Sequence, residues 1–86
     1  MARLGASPSG RYLPGMPEML SVSSASVEAI GYDPATRQLH VRFRDSGATY
    51  VYYGVEESVF RAFLRADSKG RFVNDRLRRR YFARKA

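Results

Sequence analysis

At Gly54 the spacing of apolar residues changes from alternation to a helical repeat, and this divides the chain into a sheet-forming part and a helix-forming part. Upstream, Leu39, Val41 and Phe43 alternate with His40, Arg42 and Arg44, the period-two pattern of a strand with one buried face. Strands are expected on either side of it, over Ser26 to Tyr32 and Ala48 to Tyr53. The intervening turns are Asp33-Pro34-Ala35-Thr36, with Asp and Pro where a type I turn wants them, and Asp45-Ser46-Gly47, whose Gly suits a left-handed position. Downstream, Val55, Val59, Ala62, Phe63 and Ala66, extended by Phe60 and Leu64, cover an arc of roughly 200° around a helix. An arc that wide predicts a helix packed on both the sheet and another element, with Arg61 and Arg65 on its solvent side. Asp67-Ser68-Lys69-Gly70 ends it, and Ser68 caps a second predicted helix from about Arg71 to Phe82, striped by Val73, Leu77 and Tyr81. The expected fold class is α+β, a three-stranded antiparallel meander followed by two helices packed on one face.

The chain has 86 residues, room for one small core. Residues 1 to 21 hold three Pro, three Gly and isolated apolar residues without a period, and read as a flexible tail preceding a domain over residues 22 to 86. Met16 and Met19 are equally good starts for the ordered chain. The longest apolar run in the tail is two residues, too short for a signal peptide or a membrane span, so a cytoplasmic protein is expected. A monomer is the default. With no Cys and a single His, thiolate zinc sites, thiol nucleophiles and multi-histidine metal sites are excluded.

Four pieces of this chain together resemble the KTSC domain, a short bacterial module found alone and at the C-terminus of some lysyl-tRNA synthetases. They are Ile30-Gly31-Tyr32-Asp33, Leu39-x-Val41-x-Phe43, Tyr50-Val51-Tyr52-Tyr53-Gly54-Val55, and Ser68-x-Gly70-x-Phe72-x-Asn74 followed by Leu77 and Tyr81. The resemblance spans roughly Ser21 to Phe82. It departs at Glu56, where the family usually has Pro. It implies a fold and makes RNA an expected partner, but supplies no mechanism.

Charge points the same way independently. Of 15 Lys and Arg, 13 are Arg, and ten of the 15 lie between Arg61 and Ala86 against two acidic residues. A local excess of this kind favours a polyanionic partner. On an ideal helix Arg71, Arg78 and Lys85 would fall within about 40° of one another, with Arg76, Arg79 and Arg80 on the other flank of the apolar stripe. Arg suits phosphate because its planar fork donates two parallel hydrogen bonds and keeps its charge. Arg71, Arg76, Arg78, Arg79, Arg80, Arg84 and Lys85 are therefore the candidate phosphate ligands, and Lys69 adds charge at the helix start. Ser68 to Arg71 could also cradle one phosphate, against the plainer reading of a capping Ser and a turn Gly.

Arg42, Tyr50 and Tyr52 are candidate contacts on the sheet, subject to register. A three-residue loop at 45 to 47 puts Tyr50 and Tyr52 on the polar face beside Arg42 and His40, where bases could stack. A two-residue loop at Ser46-Gly47 pairs Phe43 with Tyr50 and Val41 with Tyr52, over the core. The third strand is apolar or aromatic at both parities, and the need of a small core for aromatic volume favours the second arrangement. His40 is expected on the exposed face without a catalytic partner, and Glu56 and Glu57 read as helix-start carboxylates. No catalytic residue, metal or cofactor is expected. The sequence thus predicts a nucleic-acid-binding module, RNA ahead of DNA, with docking of an acidic protein through the Arg-rich helix as the alternative.

Overall fold

The computed structural model of the chain describes residues 17–86. Its elements are β1 (Leu20–Ser21), β2 (Val27–Asp33), β3 (Gln38–Phe43), β4 (Thr49–Tyr52), α1 (Glu57–Arg65), α2 (Lys69–Phe72), a π-helical turn continuing it (Val73–Leu77), and β5 (Ala83–Lys85). The strands form one antiparallel sheet in chain order, β1-β2-β3-β4-β5. The fold is α+β, with five strands among the described residues. The predicted meander is its centre, and a short strand is added at each edge.

Both additions correct the sequence reading. Leu20 and Ser21 pair with Ile30 and Ala29, so the chain enters the sheet before residue 22. The part of the tail before residue 17 lies outside the described residues. At the other edge the predicted helix Arg71–Phe82 stops at Leu77, and Ala83, Arg84 and Lys85 pair with Tyr52, Val51 and Tyr50. Nothing in the local sequence stops that helix: no Gly or Pro follows Leu77 before the strand. What redirects the chain is the open edge of β4, whose backbone groups the last residues satisfy, with the Tyr53 N–H to the Phe82 carbonyl at 2.9 Å extending the ladder.

One sheet face carries both helices. Ile30, Leu39, Val41 and Tyr52 are buried there with Val55, Phe63, Phe72, Val73 and Leu77. A bulge between Val27 and Ala29 lets Val27, opposite Phe43, join Ile30, opposite Val41, on that face despite their odd spacing. The helix α1 buries Phe63 fully and Val59, Phe60, Ala62 and Ala66 in part, while Leu64 stays exposed, so its covered arc is narrower than predicted. Tyr32 anchors the edge of this core. Its ring stacks on Phe60 at 4.7 Å, and its hydroxyl donates to the Val55 carbonyl at 2.6 Å.

The turns follow their chemistry with more residues than expected. The Asp33 carboxylate accepts from the Ala35 N–H, but the chain closes one residue later, through the Arg37 N–H to the Asp33 carbonyl, with Arg37 at φ 58°. In the next hairpin Phe43 pairs with Ala48, leaving a four-residue loop in which Gly47 takes φ 72°. Arg44 is committed to this framework. Its guanidinium donates to the carbonyls of Ser24, Val22 and Val27.

Candidate nucleic-acid interface

The four-residue loop sets a register neither expected loop produced: Val41 pairs with Tyr50 and Leu39 with Tyr52. Side-chain parity is what matters, and it agrees with the core-facing arrangement. Tyr52 is only 3% exposed, while Tyr50 is half-buried with its ring edge-on to Phe43 at 5.9 Å. An open stacking platform on the polar face is excluded by this register. Arg42 lies on the opposite face, paired with Thr49, whose hydroxyl accepts from its Nε at 3.3 Å.

At the β5 end, the helix-covered face opens into a cleft of about 550 Å³. Phe43, Tyr50, Tyr52 and Ala83 form its sheet wall, and Arg78 and Tyr81 form the other, with Phe82, opposite Tyr53 in the ladder, at its edge. The second wall exists because the helix stops early. Continued to Phe82, it would carry Tyr81 on its buried stripe; instead the chain turns over residues 78 to 80 and brings Tyr81 and Phe82 beside β4. Phe82 is 72% exposed, one side of its ring resting on Tyr53 at 5.8 Å. Lys85, directly opposite Tyr50 in the ladder, shares the cleft face. Burial pushes the Tyr52 phenol above its usual pKa, the neighbouring Arg78 charge opposes this, and Tyr50 adds to it. The hydroxyl thus stays protonated, able to donate.

The predicted cations divide into groups. Arg78 lines the cleft and Lys85 borders it; Arg79 and Arg80 are exposed in the turn between. Arg78 is steadied by the Asn74 amide oxygen at 3.0 Å. Arg76 lies over the Phe72 ring at 5.0 Å, a cation–π contact that shields a core aromatic. Arg84, opposite Val51, shares the second sheet face with Arg42. Arg71 is exposed on α2. Because β5 replaces the end of the helix, the seven-residue repeat of Arg71, Arg78 and Lys85 makes no common edge. Phe43, Tyr81 and Phe82 were missed as site residues. The available signal was Tyr81-Phe82 following three consecutive Arg, which a helical stripe absorbs only in part.

The helix start at Ser68 is structural. Ser68 Oγ accepts from the Arg71 N–H at 3.2 Å, as a capping Ser should, and Lys69 Nζ donates to the Ala66 carbonyl at 2.6 Å, closing the end of α1. A Cβ on Gly70 would collide with the Ser26 hydroxyl, so close approach to that loop explains the Gly.

His40 is the second correction on the polar face. Predicted exposed, it is 6% accessible, opposite Gly31 and Val51. The segment from Pro17 to Met19 crosses Gly31 on that face so closely that an added Cβ would lie 2.7 Å from Met19 Sδ and 2.9 Å from the Glu18 carbonyl oxygen. Burial pulls the His40 pKa below its usual value, partly opposed by Asp33, and among the described residues Nε2 has no hydrogen-bond partner. Among the described residues no cluster of His, Asp and Glu could hold a metal ion. No described helix is long and apolar enough to cross a membrane.

Comparison with known proteins agrees with this architecture. A Tsukamurella paurometabola protein is 49% identical over 65 residues, covering 76% of this chain and 96% of its own. An uncharacterised Stutzerimonas stutzeri protein is 44% identical over 55 residues, covering 64% and 76% respectively. The crystal structure of a KTSC domain protein from Yersinia pestis superposes with a TM-score of 0.77 at 39% identity, covering 83% of this chain and 99% of that one. The KTSC domain model matches residues 23–81, and with the sheet, helices and spacing in agreement, this chain belongs to the KTSC domain family.

Proposed function

We propose that this domain is a small cytoplasmic nucleic-acid-binding module, RNA ahead of DNA, whose contact surface is centred on the cleft at the β5 edge. One observation carries the reading: Arg78 and Lys85 flank an aromatic-lined cleft, with Arg79 and Arg80 exposed beside it. Cations alone would suit any polyanion, whereas basic side chains interleaved with accessible aromatic rings suit a polymer carrying both phosphates and bases.

The test is a titration of labelled single-stranded RNA over a range of salt concentrations, set beside DNA of the same sequence and an acidic polypeptide. Each phosphate contact contributes about 0.7 to the slope of log affinity against log salt for a single strand. Replacing Arg78, Arg79 and Arg80 together by Gln should lower that slope by up to about two units. Singly, Arg78→Gln should weaken binding most, by about 1 kcal/mol more than Arg79→Gln or Arg80→Gln, because a guanidinium at the cleft contacts the strand where a distant charge adds only field. Equal, small losses with an unaltered slope, together with tighter binding of the acidic polypeptide, would replace nucleic acid by an acidic protein partner.

A further inference from the structure

Two phenols on the helix-covered face of the sheet are treated differently. Tyr32 donates its hydroxyl to the Val55 carbonyl at 2.6 Å. Tyr52 is the more deeply buried of the two, only 3% exposed, yet its hydroxyl has no hydrogen-bond partner among the described residues. Buried hydroxyls are normally paired, so an exception calls for a reason. The Tyr52 side chain lines the 550 Å³ cleft, where Arg78 stands near enough for its charge to act on the phenol. The Asn74 amide oxygen takes one N–H of Arg78, and no carboxylate pairs with this guanidinium among the described residues, so the rest of its fork is available. Tyr50 and Tyr81 bring two more hydroxyls to the same walls, Lys85 borders them opposite Tyr50, and no carboxylate lines the cleft. Donors converge there without an anionic acceptor from the protein.

Resting on the nucleic-acid reading, we infer that this cleft holds a phosphate monoester, the terminal phosphate of a single strand or of a free nucleotide, between the Tyr52 hydroxyl and the Arg78 guanidinium. Such a group brings nearly two negative charges and three acceptor oxygens, enough to take paired bonds from the planar Arg fork and another from the phenol. Lys85 meets the remaining charge at the rim. A phosphodiester inside a strand carries a single charge and leads the chain away on both sides, so it suits the exposed Arg79 and Arg80 better than a hydroxyl set as deep as that of Tyr52. A carboxylate would satisfy the fork but bring a single charge to two cations. The cleft thus reads the end of a strand, and the surface cations follow its backbone.

The test titrates the full chain with one RNA nonamer in three forms, 5′-phosphorylated, 3′-phosphorylated and hydroxyl-ended, and with adenosine monophosphate. At least one phosphorylated strand should bind about tenfold or more tighter than the hydroxyl-ended one, the scale of a hydrogen bond to a charged group. Tyr52→Phe removes one oxygen and keeps the buried ring, and it should cut that preference to about twofold or less. Arg78→Gln should do the same, and a circular dichroism melt checks the fold of each variant. Arg79→Gln/Arg80→Gln should weaken all three strands alike and keep the preference. Adenosine monophosphate bound as tightly as the preferred strand, and through Tyr52, assigns the cleft to free nucleotides; weaker binding assigns it to strand ends. Equal binding of the three strands without Tyr52-dependent binding of adenosine monophosphate, or a preference that survives both Tyr52→Phe and Arg78→Gln, overturns the phosphate cleft. Salt-dependent strand binding lost in the double Arg variant would then leave the nucleic-acid module standing. Tyr52-dependent binding of adenosine monophosphate with no strand bound at low salt would keep the phosphate cleft and overturn the module, and no binding of any ligand would overturn both.

Discussion

One face of the sheet buries Ile30, Leu39, Val41 and Tyr52 beneath two helices, while the other carries neither described helix, yet Ala29, His40 and Val51 are almost as inaccessible. The two faces reach burial by opposite routes. On the helix side, large side chains such as Phe63 and Phe72, stacked at 5.0 Å, fill the space between layers. On the other, the lack of a side chain at Gly31 lets the backbone of Glu18 and the side chain of Met19 descend onto the strand. The first face should fail when volume is removed, the second when volume is added.

The largest expected effect is on the helix side. Phe63→Ala should cost about 3–5 kcal/mol in chemical denaturation, since Phe63 is fully buried at the contact of α1, α2 and the sheet. A loss below 1 kcal/mol would mean that the helices are loosely held. On the opposite face, Gly31→Ala should cost about 1–3 kcal/mol by overpacking. The informative control is a chain starting at Leu20, in which the same substitution should be nearly neutral. An equal loss in both chains would show that Pro17–Met19 is not what Gly31 accommodates.

His40 sharpens the comparison through pH. Its folded pKa lies below the usual 6.5, so on acidification the unfolded chain takes up a proton before the folded one does. Stability should therefore be complete above about pH 6.5 and fall as the pH drops below it. Denaturation midpoints between pH 7.5 and 5.5 measure this, and His40→Gln should flatten the profile. An unchanged profile would relocate the titration to other groups.

The smallest effect is expected at the start of α1. Glu56 occupies the N-cap position with φ −73° and ψ 153° and makes no side-chain cap hydrogen bond, a geometry proline adopts unaided. Glu56→Pro should raise stability by about 0.4–1 kcal/mol, chiefly by restricting the unfolded chain. A lowered thermal midpoint would show that the Glu56 N–H or carboxylate has a use in the native fold.

Local chemistry made much of the centre legible. The alternation of Leu39, Val41 and Phe43 settled which side of β3 is buried, the cap at Ser68 marked the start of α2, and the face of Tyr52 followed from the core's need for aromatic volume although the loop length did not. The candidate site was half legible. The cations at 78 to 80 and 85 stood out by charge, whereas Tyr81, which lines the cleft beside them, did not, because it suits a helix as well as a strand end.

Residue type and spacing were sufficient wherever a segment's partners are its own neighbours: the hairpins β2-β3 and β3-β4, the capped start of α2, the apolar stripe of α1. The cleft depends on something else. Ala83, Arg84 and Lys85 have no strand signature and pair only because β4 leaves an edge unsatisfied about thirty residues earlier. His40 is polar by type and buried only because Gly31 admits a strap of backbone from the other end of the chain. In both places the deciding free energy is a contact between distant segments, a hydrogen-bonded edge in one and a close backbone approach in the other. Such contacts exist only once the sheet has formed.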